Sequence, residues 1–373
     1  MKDKLKDKVT LIIAGGGTGG HIYPGLAIAD AFQKINPYSD ISFVGTMAGL
    51  ESKIITKTKY QIDFIQSGQL NLSGQIFKKI KTLFKIPVGF IQSIFILLKR
   101  RPDFVLGVGG YASAPFVFIA AICGFKTAIW EPNALPGMAN RILSRFVGKS
   151  YLVFKDGEKY LKSKKNHIYG MPLRSEITEG AGSHVKLAEK KFTLLCFGGS
   201  QGSFFLNEKL SQFLLNTPDL HSKIRVVHQT GARDFENIKA KYKGLSCVEV
   251  RDYIYDMPIF LQTADLLFCR GGASTLAEAA AFGVVPIVVP LPAADNHQQK
   301  NAEALVTKNA GYMIIQNQFV DEQFKKIIYS AIENSSTLEE KSKNIKKMSS
   351  LTAATDIAQD ILNEVGLYEA RES

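Results

Sequence analysis

A chain of 373 residues exceeds one ordinary domain and suits two of roughly 150 to 190 residues. Its 46% hydrophobic and 21% charged composition excludes a disordered or low-complexity protein, because such chains bury too little apolar surface to offset ordering entropy. The formal charge of +12 favours an anionic partner, but no block of roughly five or six like charges and no aromatic-basic repeat occurs, which argues against nucleic acid.

The first element is the apolar run Val9 to Ala14, the kind a parallel strand shows when helices cover both its faces. It is too short for a secretory signal and leads into a glycine loop, Gly15 to Gly20. Tyr23 to Gln33 has helical spacing, and further strands read at 41–44, 104–108 and 127–130, an alternation that predicts βαβ units. Between them, 76–98 is an amphipathic helical stretch that Pro87 and Gly89 are expected to split in two. Turn residues and charges near 170–182 mark a linker. The pattern then restarts with an apolar run at 192–197, the loop Gly198-Gly-Ser-Gln-Gly202, a helix at 204–215 and strands at 225–228, 246–250, 266–269 and 284–289. This predicts two doubly wound α/β domains. A last helix, 353–365, has apolar residues every fourth position and is expected to pack on a domain surface. The four cysteines lie far apart with no C-x-x-C, so neither a disulfide nor a zinc site is expected, and no stretch reaches the roughly 18 to 20 apolar residues that cross a bilayer.

Gly15 to Gly20 formally satisfies G-x-G-x-x-G, but strand 41–44 closes on Gly45-Thr46 with no acid, Glu51 lying well beyond, so a dinucleotide site is disfavoured. His21 follows at a helix start, where the dipole favours neutral imidazole. Gly109-Gly-Tyr-Ala-Ser113 and Glu131-Pro-Asn133 also stand at carboxyl ends of strands, where open α/β sheets bind ligands. In the second half Arg270 to Glu278 combines a glycine turn with hydroxyls opening a helix, an anion site with a carboxylate one turn further in that suits a ribose diol. The polar run 295–301 can supply amides to sugar hydroxyls.

These motifs, with His297-Gln298-x-x-Asn301, resemble the MurG glycosyltransferase family over nearly the whole chain. The resemblance implies a GT-B fold, two Rossmann-like doubly wound domains facing a cleft. It implies an acceptor-binding, membrane-associating domain at 1–174, with the C-terminal helix near 350–370 packing back on it, and a UDP-N-acetylglucosamine-binding domain at 175–349. The implied reaction is inverting transfer of N-acetylglucosamine to undecaprenyl-diphosphate-linked N-acetylmuramoyl-pentapeptide in peptidoglycan synthesis, peripheral to the cytoplasmic face of the membrane, with other cell-wall synthesis proteins as further partners. Donor contacts would come from Thr18, Gly19, Gly20, Asn133, Arg174, Ser200, Ile254 at the uracil, Arg270, Ala273, Ser274, Thr275, Leu276, Ala277, Glu278, His297 and Gln298. Acceptor contacts would come from Gly20, His21, Tyr111, Ser113, Asn133 and Asn140. His21 stands either as base or as an acceptor ligand, and Glu131 is a second candidate base. Pro132, Met171 and Gly272 depart from the family's usual residues.

No Asp-x-Asp occurs, so no metal and no cofactor is expected, the diphosphate charge falling to helix N-termini. The stretch holding Ile76, Lys78, Ile80, Lys81, Phe84 and Lys85 reads either as a buried helix with a solvated basic face or, given the lipid-linked acceptor that the resemblance implies, as a docking surface on anionic phospholipid, each lysine adding about 1 kcal/mol. Rival readings are another UDP-sugar transferase such as one acting on diacylglycerol, a nucleotide-sugar epimerase, and a non-catalytic membrane-surface sensor of nucleotide sugars.

Overall fold

The computed structural model describes residues 8–68, 76–181, 191–293 and 295–366, except for the side chains of 76–86. The chain forms two compact units, residues 1–174 with 350–373, and residues 175–349.

The first unit holds seven strands, β1 (Thr10–Gly15), β2 (Asp40–Gly45), β3 (Gln61–Phe64), β4 (Phe104–Gly109), β5 (Thr127–Glu131), β6 (Lys149–Leu152) and β7 (Lys165–Ile168). They pair in parallel in the order β3-β2-β1-β4-β5-β6-β7. The apolar runs explain the centre: Leu11, Ile12, Ile13 and Ala14 are fully buried, and Phe104 to Leu106 beside them nearly so. Sequence periodicity did not predict β3, β6 and β7. The reason is clearest in β6, where buried Lys149 and Tyr151 break the apolar run and are satisfied from far along the chain. Tyr151 Oη donates to Asp360 at 2.7 Å, and Lys149 Nζ lies 2.8 Å from both Asp360 and Glu364. These acids belong to the helix Ala353–Glu364, which packs on the helix Gly19–Ile35. Burial and the Asp360 charge push the Tyr151 hydroxyl well above its usual range.

The helix at 76 is continuous, Ile76–Arg100, with Pro87 inside it. This corrects the expected break. Gly89 serves a close approach, since a Cβ there would overlap the Gln66 carbonyl, and Ser93 Oγ donates to the Gly89 carbonyl at 2.7 Å. The expected membrane-docking residues Ile76, Lys78, Ile80, Lys81, Phe84 and Lys85 lie outside the described side chains. Among the described residues no helix is long and apolar enough to cross a membrane.

The second unit holds β8 (Phe192–Phe197), β9 (Ile224–Gln229), β10 (Val248–Arg251), β11 (Leu266–Cys269), β12 (Val285–Val288) and β13 (Tyr312–Met313), parallel in the order β10-β9-β8-β11-β12-β13. Its core gathers Leu194, Leu206, Val226, Phe268, Ile287 and Phe324. In each sheet the strand order reverses between two neighbours, β1 and β4 in one and β8 and β11 in the other. The connections there leave toward opposite faces and open a crevice beyond the carboxyl ends. Each glycine loop of the sequence emerges at such a point.

Candidate active site

In the first unit β1 ends by skipping a residue: Ala14 pairs with Gly107 and Gly15 with Gly109. Gly16 N–H then donates to the Gly109 carbonyl at 3.1 Å, and a Cβ at Gly110 would overlap the Gly16 backbone. Gly109 and Gly110 both have φ near +90°, at +95° and +87°, where other residues are strained. The two glycine motifs are therefore one interlocked turn, and it receives the His21 ring. A Cβ on Gly109 would stand 2.7 Å from His21 Cδ2 and 2.9 Å from Nε2. His21 Nδ1 lies 3.2 Å from the Gly16 carbonyl and 3.3 Å from Thr18 Oγ1. A carbonyl only accepts, so Nδ1 carries the proton and Nε2 presents the basic lone pair. Burial lowers the pKa of His21 from its usual 6.5, while the Gly16 carbonyl and the Glu51 charge pull it back up.

Thr18 and Gly20 are exposed at the start of the same helix, Tyr111 is 45% exposed beside Gly17, and Arg174 stacks its guanidinium 5.0 Å from the Tyr23 ring centre. These expected site residues share one end of the sheet with His21. Three others do not serve as expected. Glu131 is 1% exposed, and its carboxylate accepts from Asn133 N–H at 2.9 Å, Asn133 Nδ2 at 3.1 Å, Gly137 N–H at 3.1 Å and Asn140 Nδ2 at 2.8 Å. Burial pushes its pKa up and these donors hold it back. With both oxygens occupied it organises the 131–140 loop, a correction to its candidacy as base. Asn140 is buried and donates also to the Trp130 carbonyl at 3.1 Å, so its amide faces the interior. Ser113 Oγ is buried over Gly107, where a Cβ would come within 2.6 Å, so its hydroxyl points at the sheet.

In the second unit the loop 198–202 interlocks in the same manner with Thr230-Gly231, because a Cβ at Gly202 or Gly231 would overlap the other loop's backbone. Ser200 is exposed at its tip, and Ser203 caps the helix Phe204–Leu215. The helix Ala273–Phe282 follows β11 through Gly272. Ser274, Thr275, Ala277 and Glu278 are half-buried along it, Ala273 is buried, and Leu276 lies in the core with its N–H donated to Gly272 at 3.0 Å. Leu276 thus shapes the helix and offers no free contact. Arg270 is also tied inward, donating to Ser203 Oγ at 3.1 Å, the Val289 carbonyl at 3.1 Å and Gln316 Oε1 at 2.8 Å. Gln298 Oε1 accepts from Gly271 N–H at 3.1 Å and Leu291 N–H at 2.9 Å, and His297 Nε2 lies 2.8 Å from Asp295.

Two residues were missed by sequence reasoning. Glu51, buried, accepts from Gly17 N–H at 2.7 Å, and Gln229, buried, donates to the Gly199 carbonyl at 3.0 Å while accepting from Ile254 N–H at 3.1 Å. Gln229 thereby ties the glycine loop of this unit to the backbone at Ile254, which is itself buried. A polar residue ending a strand opposite a glycine loop is the signal that could have found Gln229, whereas Glu51 opens the short helix Glu51–Ile54 beyond β2 and carries no such signal.

Two family descriptions match the chain: the glycosyltransferase family 28 N-terminal domain over residues 11–152 and the family 28 C-terminal domain over residues 193–361. A UDP-N-acetylglucosamine--N-acetylmuramyl-(pentapeptide) pyrophosphoryl-undecaprenol N-acetylglucosamine transferase of Bdellovibrio bacteriovorus is 52% identical over 356 residues, 95% of this chain and 99% of the relative. The enzyme of the same name from Citrifermentans bemidjiense is 39% identical over the same shares. Among solved structures, MurG of Acinetobacter baumannii superposes with a TM-score of 0.75 at 26% identity, covering 95% of this chain and 99% of that one.

Proposed function

Because this chain belongs to glycosyltransferase family 28 and, within it, to the MurG transferases, we propose that it moves N-acetylglucosamine from UDP-N-acetylglucosamine to undecaprenyl-diphosphate-linked N-acetylmuramoyl-pentapeptide with inversion at the anomeric carbon. The observation that carries this reading is identity of 52% along 95% of the chain to a transferase of that name.

The first unit takes the acceptor and the second the donor. His21 Nε2 removes the proton from the acceptor hydroxyl as its oxygen bonds to the anomeric carbon, and the bond from that carbon to the diphosphate oxygen breaks with its electron pair leaving on UDP. Gly19, Gly20 and Thr18 at one helix start, and Ser200 with Ser274 and Thr275 at another loop and helix start, face the diphosphates. With no Asp-x-Asp in the sequence, these amides and hydroxyls oppose the leaving charge. Glu278 receives the ribose hydroxyls, and Ile254, held by Gln229, meets the base. Asn133 and Arg174 contribute from the first unit. Tyr111 stands over the acceptor side.

The protein works at the cytoplasmic membrane surface. Support comes from the described part of helix Ile76–Arg100, where Val88, Ile91, Ile94, Phe95 and Leu98 are 40 to 67% exposed at helical spacing. Ile122, Ile142 and Phe146 are exposed nearby, joined through the Phe90–Phe118 and Phe118–Phe146 ring contacts. So wide an apolar stripe on a helix suits the interfacial region of a bilayer.

The reading is tested by UDP release with purified protein. Release only when both the nucleotide sugar and the muramoyl lipid are present is expected. Conversion of the sugar without lipid would mark an epimerase, and binding without any UDP release a sensor.

A further inference from the structure

The Gly16–Gly17 peptide group is held from both ends. Its carbonyl oxygen, on Gly16, receives His21 Nδ1–H at 3.2 Å, and its N–H, on Gly17, donates to Glu51 Oε2 at 2.7 Å. Glu51 is 2% exposed, and its other oxygen accepts from Thr46 N–H at 2.8 Å and Thr46 Oγ1 at 2.9 Å. The surroundings are emptied for it, since a Cβ at Gly16 or Gly49 would overlap its carboxylate and one at Gly45 its Cγ. An acid on the Gly17 N–H keeps phosphate from that amide, which leaves the diphosphates to Thr18, Gly19 and Gly20 further along. The Gly17 amide is already occupied by this acid, so the loop's first turn is built around the imidazole.

We propose that Glu51 is a positioning residue for His21, acting through the peptide group between Gly16 and Gly17. This rests on His21 being the base. A carboxylate drawing on the N–H of a peptide group makes its carbonyl oxygen a stronger acceptor. That oxygen fixes the Nδ1–H tautomer, leaves Nε2 as the basic nitrogen and stabilises the imidazolium that forms when the acceptor's proton arrives. No proton crosses the peptide; it transmits polarisation between a carboxylate and an imidazole, as a directly bonded acid does in a hydrolase triad. The groups facing the ring are the Glu51 carboxylate from the β2 side, the Thr18 hydroxyl from its own helix, and the Gly109 backbone with neighbouring Tyr111 from the β4 side. The negative charge of Glu51 favours imidazolium, so its removal lowers the pKa of His21, and activity then persists to lower pH while the weaker base slows the reaction.

The test is the pH dependence of kcat and KM for wild type, Glu51→Gln and Glu51→Asp. For Glu51→Gln we expect kcat lower by about 10- to 100-fold, both KM values within about twofold, and an acidic limb moved down by roughly half to one pH unit. Glu51→Asp, which keeps the charge, should return the limb toward wild type. Loss of kcat with the limb unmoved, or a change confined to KM, would overturn the proposal. Should the variants not fold, NMR of the wild-type protein decides it: the Gly17 amide resonance is expected to titrate with the midpoint of the His21 imidazole, and an amide indifferent to that titration overturns the relay. His21→Ala kinetics judge the base role separately, because the Gly17 and His21 coupling is read without turnover.

Discussion

Glu131→Gln separates an organising carboxylate from a catalytic one. In the native loop two oxygens accept four hydrogen bonds at 2.8 to 3.1 Å inside a site that is 1% exposed, so solvent screening does not weaken them. Glutamine keeps one acceptor oxygen and turns an NH2 toward two donors. Asn140 cannot flip to accept, because its Nδ2 also serves the Trp130 carbonyl at 3.1 Å. The cheaper arrangement flips the Asn133 side chain and leaves the Asn133 N–H facing a donor. Replacing charge-assisted bonds by neutral ones and stranding one N–H, less the relief of no longer burying a charge, costs about 2 to 4 kcal/mol. For a unit of this size that lowers the melting transition by roughly 5 to 15 °C. Calorimetry with each unit's transition resolved is the assay, alongside kcat for the folded enzyme. An unchanged transition with kcat reduced more than about 10³-fold and one limb of the pH profile gone would return Glu131 to the role of base.

Glu278→Ala should weaken UDP binding by about 1 to 3 kcal/mol in isothermal calorimetry through loss of charge-assisted ribose contacts, and unchanged affinity would remove that role. His228 is fully buried between Tyr242 Oη and Asn207 Oδ1, each at 3.0 Å, and burial pushes its pKa from 6.5 to about 3. The unfolded chain binds the proton first, so this contribution to stability is full above 6.5 and is lost as pH falls toward 3; urea unfolding of the second unit should weaken across that window in wild type. A flat profile there would contradict a buried neutral imidazole. Phe95→Ser with Leu98→Ser should reduce binding to anionic vesicles and spare turnover of a soluble acceptor analogue, and vesicle binding insensitive to the pair would remove the apolar stripe from membrane contact.

The central strands were legible because β1, β4 and β8 are covered on both faces and must be apolar throughout. Strands further from the centre are less so: β6 is buried yet carries Lys149 and Tyr151, whose partner Asp360 stands 211 and 209 residues away in sequence. The helix runs unbroken through Pro87 and Gly89, the pair expected to split it, and Gly89 makes room for residue 66 instead. At the site, glycine loops and His21 were found from local pattern, since their roles are set by backbone conformation within a few residues. Glu51 lies well beyond the end of its strand, and only the fold brings it back 34 residues to Gly17. Glu131, Asn140 and Ser113 carry roles that the family resemblance implies; here each faces inward, Glu131 and Asn140 because the 131–140 loop must satisfy its own buried donors and acceptors, and Ser113 because its hydroxyl packs over Gly107.

The measurement that bears most directly on the account is the pH–rate profile of His21→Ala with the lipid-linked acceptor. The geometry, with Nδ1–H on the Gly16 carbonyl and Nε2 presented, predicts kcat lower by about 10² to 10⁴ with modest change in acceptor KM and no acidic limb. An acidic limb that survives in this variant, with kcat near wild type and only the acceptor KM raised, would contradict it.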